Sequence, residues 1–93
     1  MRWYRIVSWQ FKIHKFGEVD LIAIKGKKIV FIEVKYRKTI LDLQLLVHNS
    51  QIRRIKLMSK IFLMKYPKYN DYDIRFDLAI VSLFKIKIIE NSW

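Results

Sequence analysis

The sequence predicts an α/β domain in which three strands, one helix and two further strands follow one another. β-Branched and aromatic residues alternate with polar ones over most of residues 4–37, which favours strands because side chains two apart share a face. Apolar residues then recur at helical spacing until Pro67 ends the pattern, and a strongly apolar run follows. The expected order is βββαββ in a single domain over residues 1–93.

The first three strands are expected at residues 4–12, 19–24 and 28–37. Both faces of the third strand are apolar, which is typical of a central strand covered on both sides. The segment at 25–28 suits a two-residue hairpin, because Gly26 can adopt the positive φ that the first turn position requires.

The helix is expected to begin at Asn49 or Ser50, either of which is a good N-cap, and to end at Tyr66. The apolar residues at helical spacing are Ile52, Ile55, Met58 and Phe62. Strands over 76–83 and 85–90 complete the predicted order.

Three charged side chains interrupt the apolar second and third strands: Asp20, Glu33 and Lys35. An unpaired buried ion costs several kcal/mol, so such groups are usually paired, metal-bound or catalytic. A two-residue turn at 26–27 sets Asp20 directly opposite Glu33, with Cβ atoms about 5 Å apart. The same count sets Glu18 opposite Lys35. Because side chains alternate along a strand, Glu18, Asp20 and Ile22 are expected to share one face.

Two neighbouring carboxylates repel each other unless a cation or a proton lies between them, and oxygen ligands suit Mg²⁺ or Mn²⁺. Asp20 and Glu33 are therefore candidate metal ligands, with the Lys35 ammonium beside them. Such a trio suits phosphodiester hydrolysis, in which a metal activates water and a lysine positions that water or neutralises charge. A structural alternative stays open: Glu18 and Lys35 form a cross-strand ion pair, and backbone donors or arginines hold the two acids.

The segment Gly-Glu-Val-Asp-Leu-Ile-Ala at 17–23, followed by Val-Phe-Ile-Glu-Val-Lys at 30–35, resembles the uncharacterised YraN family. That family belongs to the restriction-endonuclease-like, PD-(D/E)XK superfamily. The similarity continues at 50–54 and 75–79 and covers most of residues 4–90. It implies a restriction-endonuclease-like, three-layer core with a mixed central sheet.

By this resemblance, Asp20 is the motif aspartate, Glu33 and Lys35 form the E-x-K pair, and Gln51 is the polar residue that the helix offers to the site. The implied activity is an endonuclease that uses Mg²⁺ or Mn²⁺ held by Asp20 and Glu33. Resolvase-like relatives suggest branched DNA by analogy, and a homodimer is the usual assembly of such enzymes.

The chain departs from the family pattern in three places. The first strand begins near Tyr4, so the family's N-terminal helix is expected to be missing and the order αβββαββ becomes βββαββ. Ser50 stands where the family has a lysine, and the loop at 38–46 is far more apolar than expected. These departures favour an alternative function, a degenerate module that binds nucleic acid with a vestigial site.

The composition favours a polyanionic partner. There are 19 Lys and Arg residues against 8 Asp and Glu, a net charge of +11, which promotes nucleic-acid binding through counterion release. The candidate contacts are Arg37, Arg53, Arg54 and Lys56. DNA is expected in preference to RNA, although an RNA- or ribosome-associated structural protein stays a third alternative. A membrane surface is less favoured, because the basic residues do not line one amphipathic face.

The cysteine content and the absence of targeting patterns bear on the location of the protein and on the kinds of site that it can contain. The chain contains no cysteine, which excludes disulfides and thiolate metal sites. It shows neither a signal-peptide pattern nor a spanning apolar run, so we expect a cytoplasmic protein without a membrane partner. His14 and His48 are interpreted as solvated loop residues, and Asp77 is expected to bond to backbone or to Arg75.

Overall fold

A computed structural model of the protein describes residues 4–37 and 49–90. Within these ranges, five strands form one sheet in the order β1-β2-β3-β4-β5, and one α-helix separates the third strand from the fourth. The elements are β1 (Arg5–Ile13), β2 (Gly17–Lys25), β3 (Lys28–Tyr36), α1 (Asn49–Lys65), β4 (Asp73–Val81) and β5 (Ile86–Ile89). The predicted α/β class and the order βββαββ are confirmed. The apolar loop at 38–46 and His48 lie outside the described residues.

The sheet is mixed, as expected. Strands β3 and β4 are parallel, whereas the other three neighbouring pairs are antiparallel. Parallel strands need a long crossover connection, and α1 lies in that connection. The sheet positions β3 centrally, with β2 on one side and β4 on the other.

Strand β4 begins and ends earlier than its composition predicted. It begins at Asp73, because the parallel ladder reaches back to the pair Lys28 and Asp73, and the Asp73 N–H donates to the Lys27 carbonyl at 2.9 Å. It ends at Val81, since the Ser82 N–H turns back to the Lys85 carbonyl at 2.8 Å.

Helix α1 packs on one face of the sheet. Its buried apolar side chains, Ile55, Met58 and Phe62, are at most 1% exposed and were predicted from their spacing, whereas Ile52 of the same predicted series is only partly buried. The Phe62 ring lies 5.1 Å from Phe11 and 5.9 Å from Phe31, measured between centroids. The described residues thus form two of the three expected layers, the sheet and α1. No helix in the described part of the chain is long and apolar enough to cross a membrane.

The opposite face of the sheet contains a second apolar cluster and a buried ion pair. The cluster consists of Leu21, Ala23, Val30, Ile32 and Ala79. Arg75 donates from Nε and Nη2 to the two carboxylate oxygens of Asp77, each at 2.9 Å, and also contacts the Tyr4 hydroxyl. Asp77 is completely buried, and its carboxylate holds the pKa of Arg75 above the usual range. The expected pairing of Asp77 with Arg75 is confirmed.

Candidate functional site

The β2–β3 hairpin has the predicted two-residue turn. Lys25 faces Lys28, and Gly26 adopts a φ of +61°. The register continues to the pair Leu21 and Ile32 and stops there. The next pair, Asp20 and Glu33, which the hairpin count predicted to face each other, is therefore not part of the ladder.

The two strands separate at Asp20. Its carboxylate accepts the backbone N–H of Val34 at 2.8 Å, so the side chain supplies an acceptor where the ladder has ended. The alternation of faces is also interrupted here. Val19 and Ile22 are three residues apart and should point to opposite faces, yet both belong to the cluster that packs against α1. The prediction that the even-numbered residues of β2 share one face therefore fails at Asp20, although the carboxylate still reaches β3.

The Asp20 and Glu33 carboxyl groups interact strongly. Burial raises the pKa of Glu33, and the charge of Asp20 and a hydrogen bond between the two side chains raise it further, from 4.5 to about 7. The positive charges of Lys35 and Arg54 oppose this shift and lower the pKa. Loss of the Glu33 proton would leave two carboxylates side by side in a partly buried site, and a bound cation would neutralise that charge.

Lys35 lies beside Glu33 on the third strand. Its Nζ is 3.7 Å from Glu33 Oε1, and both side chains are 17% exposed. The prediction that Lys35 faces Glu18 across the hairpin is wrong. The β2–β3 ladder ends before it reaches Glu18, whose partner on the other side of β2 is Lys12 of β1.

The first turns of α1 bring Arg54 to this site. A Cβ added to Gly17 would lie 2.5 Å from Arg54 Cδ, so the arginine side chain crosses the strand directly over that glycine. Gln51 precedes Arg54 by one helical turn and is partly buried, so it lies on the same side of α1. The start of β2 and the start of α1 therefore meet beside the carboxylates.

The other predicted nucleic-acid contacts occupy different places. Arg53 is exposed on α1. Lys56 Nζ lies 5.9 Å from the Phe76 ring centroid, and Arg37 Nη1 donates to the Tyr36 carbonyl at 2.8 Å. Of the predicted set, Arg54 is the member that the structure brings to Glu33.

Sequence reasoning did not single out two lysines around the turn from β1 to β2, Lys12 and Lys15. Lys12, His14 and Lys15 line a pocket to which Arg54 also contributes. The signal was the basic run before Gly17, but only the fold brings that run beside α1. His14 is exposed, in agreement with its interpretation as a solvated residue.

The donor set fits a hard divalent cation. Among the described residues, no cluster of three or more His, Cys, Asp or Glu side chains is found, so Asp20 and Glu33 are a two-carboxylate set. Mg²⁺ characteristically binds through one or two carboxylates and completes its shell with waters and substrate phosphates. A closed structural zinc site would need more protein ligands than these.

The chain is similar to proteins from several bacteria. The model of the uncharacterised protein family UPF0102 matches residues 1–81. A UPF0102 protein of Francisella tularensis subsp. novicida is 36% identical over 91 residues, covering 95% of this chain and 77% of the relative. Relatives from Mesorhizobium japonicum and Ehrlichia chaffeensis are 31% and 38% identical, over 100% and 97% of this chain and 74% and 72% of their own lengths.

Proposed function

This chain belongs to the uncharacterised protein family UPF0102, the YraN family that its motifs resemble, and we propose that it is a metal-dependent endonuclease. Its substrate is nucleic acid, with DNA preferred over RNA. The observation that carries the proposal is the interacting pair of Asp20 and Glu33, in which burial, and then the charge of Asp20, raises the pKa of Glu33 to about 7. The resemblance to PD-(D/E)XK nucleases supports the same assignment.

Asp20 and Glu33 hold Mg²⁺ or Mn²⁺ in this proposal. When bound, the cation supplies a Lewis acid for the phosphate and lowers the pKa of a coordinated water. Asp20 is oriented by the Val34 N–H, so its carboxylate is fixed before any ligand arrives. Glu33 must lose its proton to become a ligand, which sets a pH requirement near neutrality.

Lys35 positions water and neutralises charge. Its ammonium lies 3.7 Å from Glu33 and is largely shielded from solvent, so its charge acts at short range on an attacking water or on the phosphate oxygens. Gln51 and Arg54 flank the carboxylates from α1. The guanidinium of Arg54 suits a nonbridging phosphate oxygen, because it presents several N–H donors in one plane.

A degenerate, non-catalytic module is the second candidate function. Ser50 favours this second function, because the family pattern has a lysine at that position, directly before Gln51. In that case the net charge of +11 still attracts nucleic acid, but a chelator leaves binding unchanged.

A cleavage assay separates the two functions. Labelled single-stranded, duplex and four-way-junction DNA, and RNA, are incubated with Mg²⁺, Mn²⁺ or chelator. Wild type is compared with Glu33→Gln, Lys35→Ala and the control Lys65→Ala, which changes an exposed lysine in the last turn of α1. We expect metal-dependent cleavage that falls at least 100-fold in the two site variants and persists in the control.

Binding without cleavage under every metal condition would refute the nuclease and leave the non-catalytic module. Cleavage that Glu33→Gln and Lys35→Ala retain would show a contaminant or a different site. Light scattering on the same samples tests the homodimer that the resemblance implies, which would present two cleavage sites to one substrate.

A further inference from the structure

The turn between β1 and β2 forms one wall of a basic pocket. The pocket has a volume of about 540 Å³. Lys12, His14 and Lys15 contribute from the turn, and Arg54 contributes from α1. Glu18 stands opposite Lys12 in the β1–β2 ladder but is not among the residues that line the pocket. The lining is therefore strongly cationic and suits an anion.

The backbone of this turn is unusual. Lys15 has a φ of +71°, a left-handed conformation that a side chain with a Cβ rarely adopts. The Phe16 N–H donates to the Ile13 carbonyl at 3.0 Å and closes the turn. Such conformations persist where the surrounding structure requires them, and they are concentrated at functional sites.

Gly17 joins the pocket to the carboxylates. Its φ of +137° and its missing side chain leave room for Arg54 to cross the strand, because a Cβ there would meet Arg54 Cδ at 2.5 Å. The charge of the same arginine acts on Glu33. Arg54 is thus shared between the pocket and the site of Asp20 and Glu33.

We propose that this pocket binds a phosphate of a nucleic-acid backbone. This phosphate neighbours the one that is cleaved at the proposed site of Asp20 and Glu33. The location beside a cleavage site rests on the proposed function, but the binding itself requires no catalysis. Lysine and arginine contacts to phosphate fix the position of a strand and carry no sequence information. The pocket therefore contributes affinity and register, with equal preference for all sequences.

The competing explanation is that these residues belong to a uniformly basic, solvated surface. A charge-matched control discriminates the two. Lys65 and Lys68 are exposed near the opposite end of α1, where their Nζ atoms lie 5.8 Å and 5.1 Å from the ring centroids of Tyr66 and Tyr69. Removing them changes the net charge by the same two units as removing Lys12 and Lys15.

The experiment measures fluorescence anisotropy of labelled duplex and single-stranded DNA in chelator, over a series of salt concentrations. We expect Lys12→Gln/Lys15→Gln to weaken binding at least tenfold and to reduce the slope of log K against log salt by about 1 for each phosphate that the variant no longer neutralises. Lys65→Gln/Lys68→Gln should weaken binding less than threefold. Equal weakening by both double substitutions, or none by the first, would overturn the proposal.

A second variant separates binding from folding. Lys15→Gly removes the charge and also relieves the left-handed backbone, so we expect an unchanged or higher melting temperature together with weaker DNA binding. Unchanged DNA binding by this variant would also contradict a phosphate contact at Lys15.

The outcomes for the pocket and for the nuclease are distinguishable. Weaker binding by the pocket variants without cleavage by wild type would retain the pocket and reject the nuclease. Metal-dependent cleavage with unchanged binding in the pocket variants would do the reverse.

Discussion

The carboxylate of Asp20 accepts the backbone N–H of Val34 at 2.8 Å, across the point where β2 and β3 stop pairing. Glu33 precedes Val34, and this bond therefore brings the two acidic side chains together. The same bond gives the Val34 N–H an acceptor beyond the end of the β2–β3 ladder. Its consequence is a carboxyl pair whose protonation is linked to folding and, if the proposed cation binds there, to metal binding.

The stability of the metal-free protein should fall as the pH rises from about 5 to 8. Folding raises the pKa of Glu33 from 4.5 to about 7, so the folded state binds more protons within that window. The stabilising contribution is complete below pH 4.5 and is lost as pH rises through about 7. Allowing for solvent screening, we expect a loss of about 1 kcal/mol, or about 4–8 °C in melting temperature.

Melting curves of Glu33→Gln test this assignment. The melting temperature of this variant should decline little between pH 5 and 8. The control Glu18→Gln, which removes another carboxyl of the same hairpin, should retain the decline. An equal slope in both variants would show that Glu33 is not the titrating group.

Metal binding should depend on pH through the same proton. Because Mn²⁺ competes with the proton of Glu33, its apparent dissociation constant should rise up to about tenfold per pH unit below pH 7. Calorimetry in buffers of different ionisation enthalpy measures the released proton directly. Asp20→Asn should abolish Mn²⁺ binding, whereas the control Glu18→Gln should retain it. An affinity for Mn²⁺ that does not change with pH would contradict Glu33 as a ligand.

Replacing Gly17 with alanine should destabilise the fold by about 1–3 kcal/mol. The new Cβ meets Arg54 at 2.5 Å and the backbone has a φ of +137°. Gly26→Ala is the matched control, because its φ is also positive but nothing lies within 4 Å of the added atom. Urea unfolding should show the larger destabilisation at Gly17, part of which Arg54→Ala restores, and equal effects would argue against the close approach of Arg54.

Removing the Asp77 carboxylate should damage folding but not metal binding. Asp77→Ala leaves Arg75, whose side chain is 14% exposed, without its bidentate partner, and breaking such a pair costs about 3–5 kcal/mol. Chemical denaturation measures the destabilisation, and Asp77→Asn should be milder. Folded Asp77→Asn protein with unchanged Mn²⁺ affinity would support a structural role, and loss of that affinity would assign Asp77 to the metal site.

The elements of this fold are encoded locally, and the sequence predicted them well. The register of the β2–β3 hairpin follows from Gly26, because the turn length sets which residues face each other. The buried face of α1 follows from the spacing of Ile55, Met58 and Phe62. The start of β4 at Asp73 was not predicted, since its pairing with Lys28 comes from a strand distant in sequence.

The sequence by itself determined which acids and which lysine stand in neighbouring strands, because strand alternation and turn length are short-range properties. The tertiary structure decided how they interact. It ended the β2–β3 ladder at Leu21 and laid Arg54 across Gly17, whereas the contact of Lys35 with Glu33 follows from their positions two apart on one strand. The end of the ladder and the crossing of Arg54 over Gly17 depend on the packing of α1 against the sheet and on the separation of two strands, which no local residue pattern specifies.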